Sequence, residues 1–182
     1  MNTYEIMALT LHSNDNSVNG RTAIQKLVYF ISQKVPGVKI NSYTHYFYGP
    51  FSIDVASTLG EMSAFSYLNE IVHSGFHENY EYSLTTKGQE YAKNISEQHP
   101  DEFKQISDIV KVCKDFCGLR ASTLSFAAKA HYVLANTASN HTDKYTADDV
   151  SRVATDFDWE ISPDDAKNGI LLLQRLDLVG AS

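Results

Sequence analysis

The chain has 182 residues, of which 43% are hydrophobic and 12% aromatic, so it is long and apolar enough to form one large domain or two small ones around a buried core. It contains no apolar run close to the roughly 18 residues that a membrane span needs, and residues 1–16 lack the basic start and apolar stretch of a signal peptide, so we expect a cytoplasmic protein. The net charge is −7, and acidic residues outnumber basic ones in both halves: residues 1–97 hold six Lys and Arg and nine Asp and Glu, and residues 98–182 hold nine Lys and Arg and thirteen Asp and Glu. This charge distribution disfavours a protein that binds nucleic acid mainly by neutralising phosphates.

Three helices are predicted in the first part of the chain. The first covers about Thr3 to Leu11 and is followed by a polar, turn-forming stretch. The second runs from about Arg21 to Lys34, because its apolar residues recur at steps of three and four until a Pro-Gly pair ends the pattern. The third begins after Ser52, which is a suitable N-cap. Between the second and third helices, the aromatic-rich residues 38–51 are predicted to be extended or to form a hairpin that ends in a Tyr-Gly-Pro turn.

A β-hairpin is predicted after the third helix. Residues 68–73 supply its first strand, and Tyr80, Tyr82 and Leu84 then alternate with polar residues in the period of two that is typical of a half-buried strand. Thr86 and Gln89 have the spacing of a capping box for the next helix. The order helix, helix, helix, strand, wing, strand is typical of winged helix-turn-helix domains.

The remaining chain is predicted to be helical. One helix covers about Pro100 to Phe116, and a short apolar helix covers Leu124 to Leu134. After a polar loop, residues 136–144, a third helix is capped by Thr146, and the last begins after Ser162. The last helix is predicted to bury four residues: Ile170, Leu171, Leu173 and Leu176.

These elements define the predicted fold class. It is mainly α (α+β), with a winged helix-turn-helix domain and a small β-hairpin wing in residues 1–97. A helical C-terminal half, residues 98–182, packs on this domain or forms one compact unit with it, since no linker separates the two.

Three segments carry a family resemblance. They are GRTAIQKLVYF at residues 20–30, HYFYGPFS at residues 45–52 and YSLTTKG at residues 82–88. Together they resemble the YwgA-like family of uncharacterised prokaryotic proteins, which is itself similar to the Panacea domain of SocA-type antitoxins. Panacea domains resemble one another around a Gly-Pro-Val, whereas this chain has Gly-Pro-Phe, which places it nearer to the YwgA-like family. The resemblance implies a winged-helix-like fold and a regulatory or antitoxin-type role, implies no catalytic residues, and does not cover the C-terminal half.

Aromatic residues between positions 43 and 51 form the first candidate binding surface. Tyr and Phe offer a large contact area at protein interfaces, although here they would equally well seal the segment onto the second and third helices. We select Tyr46, Tyr48 and Phe51, with part of the C-terminal half, as the partner-binding surface. The leading hypothesis is a non-enzymatic regulatory protein, antitoxin-like or adaptor-like, that acts through contacts with a protein partner or a second copy of itself.

The alternative hypothesis is a winged-helix transcriptional regulator that binds DNA. In the usual geometry the third helix enters the major groove and the wing contacts phosphates, so both should carry basic or amide side chains. Residues 52–64 and 73–82 contain no Lys or Arg, and each contains two acidic residues. DNA binding is therefore disfavoured, and it would have to use other basic residues: Arg21, Lys26, Lys39, Lys87 and Lys93.

No residue pattern specifies a reaction, a metal site or a cofactor. His73 and His77 are four residues apart, as are Cys113 and Cys117, but these pairs lack the spacing of structural zinc motifs. The two cysteines lie on one face of a predicted helix, and we expect them to be reduced core residues. We therefore predict a protein that is not an enzyme and that uses no metal or cofactor.

Overall fold

The computed structural model describes residues 1–73, 79–137 and 146–180. These residues form a mainly helical fold with a small three-stranded antiparallel sheet, which agrees with the predicted α+β class. Two predicted features lie outside the described residues. They are the tip of the hairpin, including His77 and Glu78, and most of the polar loop that follows Asn136.

The secondary-structure elements follow one another as helices and short strands. The helices are α1 (Thr3–His12), α2 (Arg21–Lys34), α3 (Ile53–Ala64), α4 (Thr86–Gln98), α5 (Pro100–Cys117), α6 (Ala121–Thr137), α7 (Ala147–Ala154) and α8 (Pro163–Arg175), with a 3-10 turn at Thr155–Phe157 between the last two. The strands are β1 (Ser17–Asn19), β2 (Leu68–His73) and β3 (Asn79–Leu84). Within the described part of the chain, no helix combines the length and apolar character that crossing a bilayer requires.

Three predicted helix starts are confirmed by side-chain hydrogen bonds. The hydroxyls of Ser52, Thr146 and Ser162 each accept a bond from the backbone N–H three residues later, at the start of α3, α7 and α8. At α7 the carboxylate of Asp149 also accepts from the Thr146 backbone N–H, which completes a capping box.

The predicted cap of α4 is wrong by one residue. The N-cap is Thr85, whose hydroxyl accepts from the Gly88 N–H at 3.1 Å and donates to the Ser66 carbonyl oxygen at 2.7 Å. Thr86 is instead the first helical residue and is exposed. Thr85 takes the cap position because it directly follows the end of β3 and finds both an acceptor and a donor for its hydroxyl.

The sequence does not predict strand β1, because its three residues, Ser-Val-Asn, lie in a stretch rich in turn-forming residues. Backbone pairing with β3 creates the strand, and Val18 lies opposite Tyr82. The sheet has the order β1-β3-β2, and both pairs of neighbours are antiparallel. Among the described residues, the sheet buries Val18 of β1, Leu68 of β2, and Tyr82 and Leu84 of β3.

Helix α2 lies at the centre of the molecule. It packs against α1, α3, α5 and α6, and every residue from Ala23 to Ile31 is buried. A helix enclosed on all sides must bury polar positions along with apolar ones, so Gln25 and Lys26 lie inside the protein. The buried apolar residues before and after position 98 form one contiguous core.

Helices α6 and α8 pack closely in the C-terminal half. A Cβ atom at Gly169 of α8 would lie 3.0 Å from the Cα atom of Ala127 of α6. Helix α6 extends three residues beyond the predicted range at each end. Of the four residues predicted to be buried here, Leu173 and the C-cap residue Leu176 are buried and Ile170 is half-buried, but Leu171 is 43% exposed, since the apolar residues of this helix span more than the one face that packs against α6.

Candidate functional site

Three aromatic side chains between α2 and α3 are exposed to solvent. The exposed fractions are 51% for Tyr46, 75% for Phe47 and 66% for Tyr48, whereas Phe51 is half-buried. We call these four residues the aromatic turn. The residue of this segment that packs against α2 is Tyr43. Its half-buried ring meets the Tyr29 ring edge-on, with 4.9 Å between the ring centroids.

Hydrogen bonds fix the backbone of the aromatic turn. Thr44 and Phe51 pair through two backbone bonds of 2.9 and 2.8 Å, so this segment is an extended loop closed by one bridge. The Gly49 N–H donates to the Tyr46 carbonyl oxygen at 2.9 Å, and the buried indole of Trp159 donates to the same oxygen at 2.7 Å. The loop is therefore tied to the C-terminal half as well as to itself.

Helix α2 holds the other end of the loop. The amide of Gln25 donates to the Ser52 carbonyl oxygen at 2.9 Å and accepts from the Ser52 N–H at 3.1 Å. The Lys26 ammonium donates to the Pro50 carbonyl oxygen at 2.7 Å. Both residues of α2 thus satisfy backbone groups that the loop would otherwise bury without partners.

Gly49 allows the loop to lie directly against α6. Its φ of +97° is one that side-chain-bearing residues rarely adopt. A Cβ atom at this position would lie 3.0 Å from Cγ of Lys129 and 3.5 Å from the Ser125 carbonyl oxygen.

A cleft of about 330 Å³ lies between the aromatic turn, α2, α3 and the sheet. Phe51, Ala56 and Leu59 contribute apolar surface to its walls, next to the rings of the exposed tyrosines. The polar groups of the cleft come from α2 and from the sheet: Arg21, Gln25, Lys26, Glu70 and Tyr82.

Arg21, Glu70 and Tyr82 form a closed network at one end of the cleft. The Tyr82 hydroxyl donates to Glu70 at 2.5 Å and accepts from Nε of Arg21 at 2.6 Å, while the Arg21 Nη2 lies 3.2 Å from the Glu70 carboxylate. The bond from Tyr82, and next the one from Arg21, hold the pKa of Glu70 below its ordinary value. The bond to Tyr82 likewise raises the pKa of Arg21. Both groups are therefore charged, and each compensates the other.

Lys26 has no such partner. It is 2% exposed, and in the described parts of the chain no carboxylate lies within ion-pair distance of its ammonium, whose single hydrogen-bond acceptor there is the Pro50 carbonyl oxygen. Burial, and next the positive charge of Lys129, lower the pKa of Lys26 to about 7. Lys129 is 7% exposed, and burial lowers its pKa too.

The predicted nucleic-acid-binding residues are divided between α2, the segment that follows it and α4. The structure corrects the prediction that Lys26 contacts nucleic acid. Its side chain lies between the loop and α6 and is only 2% exposed, so it cannot reach a phosphate on the surface. Arg21 is engaged by the network, and the Lys87 ammonium donates to the Phe65 carbonyl oxygen at 3.0 Å. Lys39 and Lys93 are exposed, on the segment after α2 and on α4 respectively.

Neither the two cysteines nor His131 lines this cleft. Cys113 is buried and Cys117 is half-buried; both are free, and burial raises the pKa of each thiol. His131 is buried on α6, where its Nδ1 is 2.8 Å from the Tyr29 hydroxyl. Among the residues with described positions, no group of three or more His, Cys, Asp or Glu side chains is placed to hold a metal ion.

Sequence reasoning missed the buried polar groups of the cleft. One signal was present: Tyr29 and Phe30 follow Lys26 by three and four residues, so the face of α2 that carries Lys26 is apolar too. The loop that covers Lys26 meets it at Pro50, 24 residues later, and α6 follows much later still. No local pattern shows that these elements meet there.

Comparison with known proteins adds one relative. No family model matches the chain. An alignment over 119 residues, 65% of this chain and 71% of the relative, has 26% identity. The relative is the uncharacterized protein YwgA of Bacillus subtilis (strain 168). The similarity to YwgA supports the family resemblance of the three segments, and it assigns no activity, because YwgA is itself named as uncharacterized.

Proposed function

We propose that this protein is a non-enzymatic, winged-helix-like regulator that acts through contact with a protein partner, in the manner of an antitoxin or an adaptor. The contact surface is the aromatic turn, with the adjoining part of the C-terminal half around Trp159. The partner is a different protein or a second copy of the chain.

The observation that carries the proposal is the exposure of Tyr46 and Tyr48 on a fixed loop. Large aromatic side chains that remain exposed together are typical of interaction surfaces, and Tyr is enriched among the residues that dominate binding energy. Ile53, 62% exposed at the start of α3, extends the apolar character of the region.

The anchoring of the loop supports the same proposal. Hydrogen bonds from Trp159, Lys26 and Gln25 hold its backbone before any partner arrives. A preorganised surface loses less conformational entropy on binding, so more of the contact energy of the exposed rings contributes to affinity.

Placement of the basic residues favours the protein partner over DNA. Helix α3 carries Asp54 and Glu61, and Glu61 accepts a hydrogen bond from the Tyr4 hydroxyl at 2.6 Å. Of the basic residues on α2, Lys26 is buried, Arg21 is paired with Glu70, and Lys34 is paired with Asp177. The exposed lysines among the predicted DNA-binding residues are Lys39, on the segment after α2, and Lys87 and Lys93, on α4.

Affinity capture with the wild-type protein and Tyr48→Ala tests the proposal. We expect tagged wild-type protein to retain a stoichiometric protein partner from its native lysate after nuclease treatment. Loss of the Tyr48 ring should weaken retention by about tenfold or more, as at other aromatic hot spots. The free energy of unfolding should change by less than about 0.5 kcal/mol, because the ring is mostly exposed.

Phe65→Ala is the matched control. Phe65 is 61% exposed at the far end of α3, and its loss should leave capture unchanged. Recovery of nucleic acid alone, lost at high salt, would contradict the proposal and favour a DNA-binding regulator. A large loss of stability in Tyr48→Ala would mean that the ring serves the core.

A further inference from the structure

The cleft beneath the aromatic turn contains a buried lysine amino group that has no anionic partner among the described residues. Lys26 is only 2% exposed, lines the cleft, and has one backbone oxygen as its hydrogen-bond acceptor among the described residues. An ammonium group can donate three hydrogen bonds, and a buried one is costly unless an anion accompanies it.

The neighbouring charges increase the need for an anion. Lys129 is also buried, and its positive charge adds to the effect of burial in lowering the pKa of Lys26. Glu70, the acidic residue that lines the cleft, is already bound by Arg21 and Tyr82. The charge balance within the cleft is therefore positive, with Lys26 as the group that lacks a counter-ion.

The side chains that line the cleft indicate what the uncharged part of a ligand would be. Phe51, Ala56 and Leu59 provide apolar surface, and the rings of Tyr46 and Tyr48 form the side nearest the solvent. A volume of about 330 Å³ is at the lower end of the range of about 300–1,000 Å³ for small-molecule sites, which suits a molecule with one or two rings.

We propose that the cleft binds a small aromatic carboxylate, with the carboxylate on the Lys26 ammonium and the ring among Phe51, Leu59 and the two exposed tyrosines. This site shares Tyr46, Tyr48 and Phe51 with the proposed partner surface, but the binding of a small ligand there does not require a protein partner. It assigns the buried lysine a ligand that supplies its missing counter-ion and leaves the Arg21–Glu70–Tyr82 network intact.

Ligand-observed NMR with simple probes tests the site. The probes are benzoate, phenylacetate and indole-3-acetate, each compared with its neutral amide, at millimolar concentration on the intact protein. We expect the carboxylates to bind about tenfold or more tightly than the amides, because a hydrogen bond to a charged partner replaces a neutral one. Lys26→Met should abolish this preference.

Two further variants separate the contributions of charge and shape. Lys93→Met removes an exposed lysine of α4 and should leave binding of every probe unchanged. Ala56→Phe fills the apolar part of the cleft while Lys26 is retained, and it should abolish binding of both acids and amides, so the test stands even if Lys26→Met fails to fold. Absence of binding by all three carboxylates, a preference for carboxylates that persists in Lys26→Met, or binding that persists in Ala56→Phe would overturn the inference. Loss of protein-partner capture in Tyr48→Ala bears on the proposed function alone.

Discussion

At Gly49 a single hydrogen atom in place of a side chain determines how the loop meets α6. Its positive φ is strained for a residue with a side chain, and a Cβ atom would lie 3.0 Å from Cγ of Lys129, closer than an ordinary van der Waals contact. The Tyr-Gly-Pro turn was predictable from its residue types, but the approach to α6 was not, because residue 129 is far away in sequence.

Gly49→Ala is expected to destabilise the protein by about 2–3 kcal/mol, the sum of backbone strain and a steric contact. Gly37→Ala is the matched control, since Gly37 also has a positive φ, +83°, but among the described residues no neighbouring atom lies within 4 Å of the position that a Cβ atom would take there. That variant should cost only about 1 kcal/mol, the backbone part. Urea unfolding of both variants measures the difference, and equal costs would show that the contact with Lys129 has no energetic effect.

The exposed aromatic residues and the buried lysine differ in how far sequence could locate them. Tyr46 and Tyr48 stand out because aromatic residues cluster next to a turn. Lys26 did not, because a lysine is expected at the surface unless its covering elements are known. Local patterns identify side-chain chemistry, whereas the burial that changes this chemistry depends on contacts between distant segments.

Among the elements, helices with a cap signal were the most predictable. Ser52, Thr146 and Ser162 each start a helix where the sequence indicated. Strand β1 had no such signal, because its three residues become a strand only by pairing with β3, which follows much later in the chain. At α4 the sequence predicted Thr86 as the cap, whereas Thr85 takes this position and also donates to the Ser66 carbonyl oxygen, a contact that the local pattern does not show.

The α4 cap can be tested directly with the two threonines. Thr85→Ala should lower the free energy of unfolding by about 1 kcal/mol or more, because it removes the bond to the Gly88 N–H and the bond to the Ser66 carbonyl. Thr86→Ala should change it by less than about 0.5 kcal/mol, since that side chain is exposed within the first turn. Chemical denaturation compares the pair, and a larger loss from Thr86→Ala would identify Thr86 as the cap after all.

For the whole molecule, the buried ammonium makes stability depend on pH. Because the pKa of Lys26 falls from 10.5 to about 7 on folding, the unfolded chain binds one proton more than the folded chain between these values. Stability therefore rises with pH in this window, by up to about 1.4 kcal/mol per pH unit from this group. Lys129 adds in the same direction, since burial also lowers its pKa.

Lys26→Met removes this contribution. We expect the free energy of unfolding, measured from about pH 7 to about pH 9, to rise less steeply in Lys26→Met than in the wild type. The two slopes should differ by up to about 1.4 kcal/mol per pH unit, which corresponds to one proton. Glu70 keeps its charge throughout this range, and His131, whose pKa is lowered by burial, titrates below it. Identical slopes for the two proteins would mean that Lys26 keeps its proton when the chain is folded.

Trp159 gives the protein an intrinsic optical reporter. It is the single tryptophan of the sequence, its ring stacks on Phe157, and its indole N–H is bonded to the Tyr46 carbonyl oxygen. Any movement of the loop alters that bond and the polarity around the indole. The emission of one chromophore, without an attached dye, therefore follows the loop in real time, and a stopped-flow trace can report how quickly it responds.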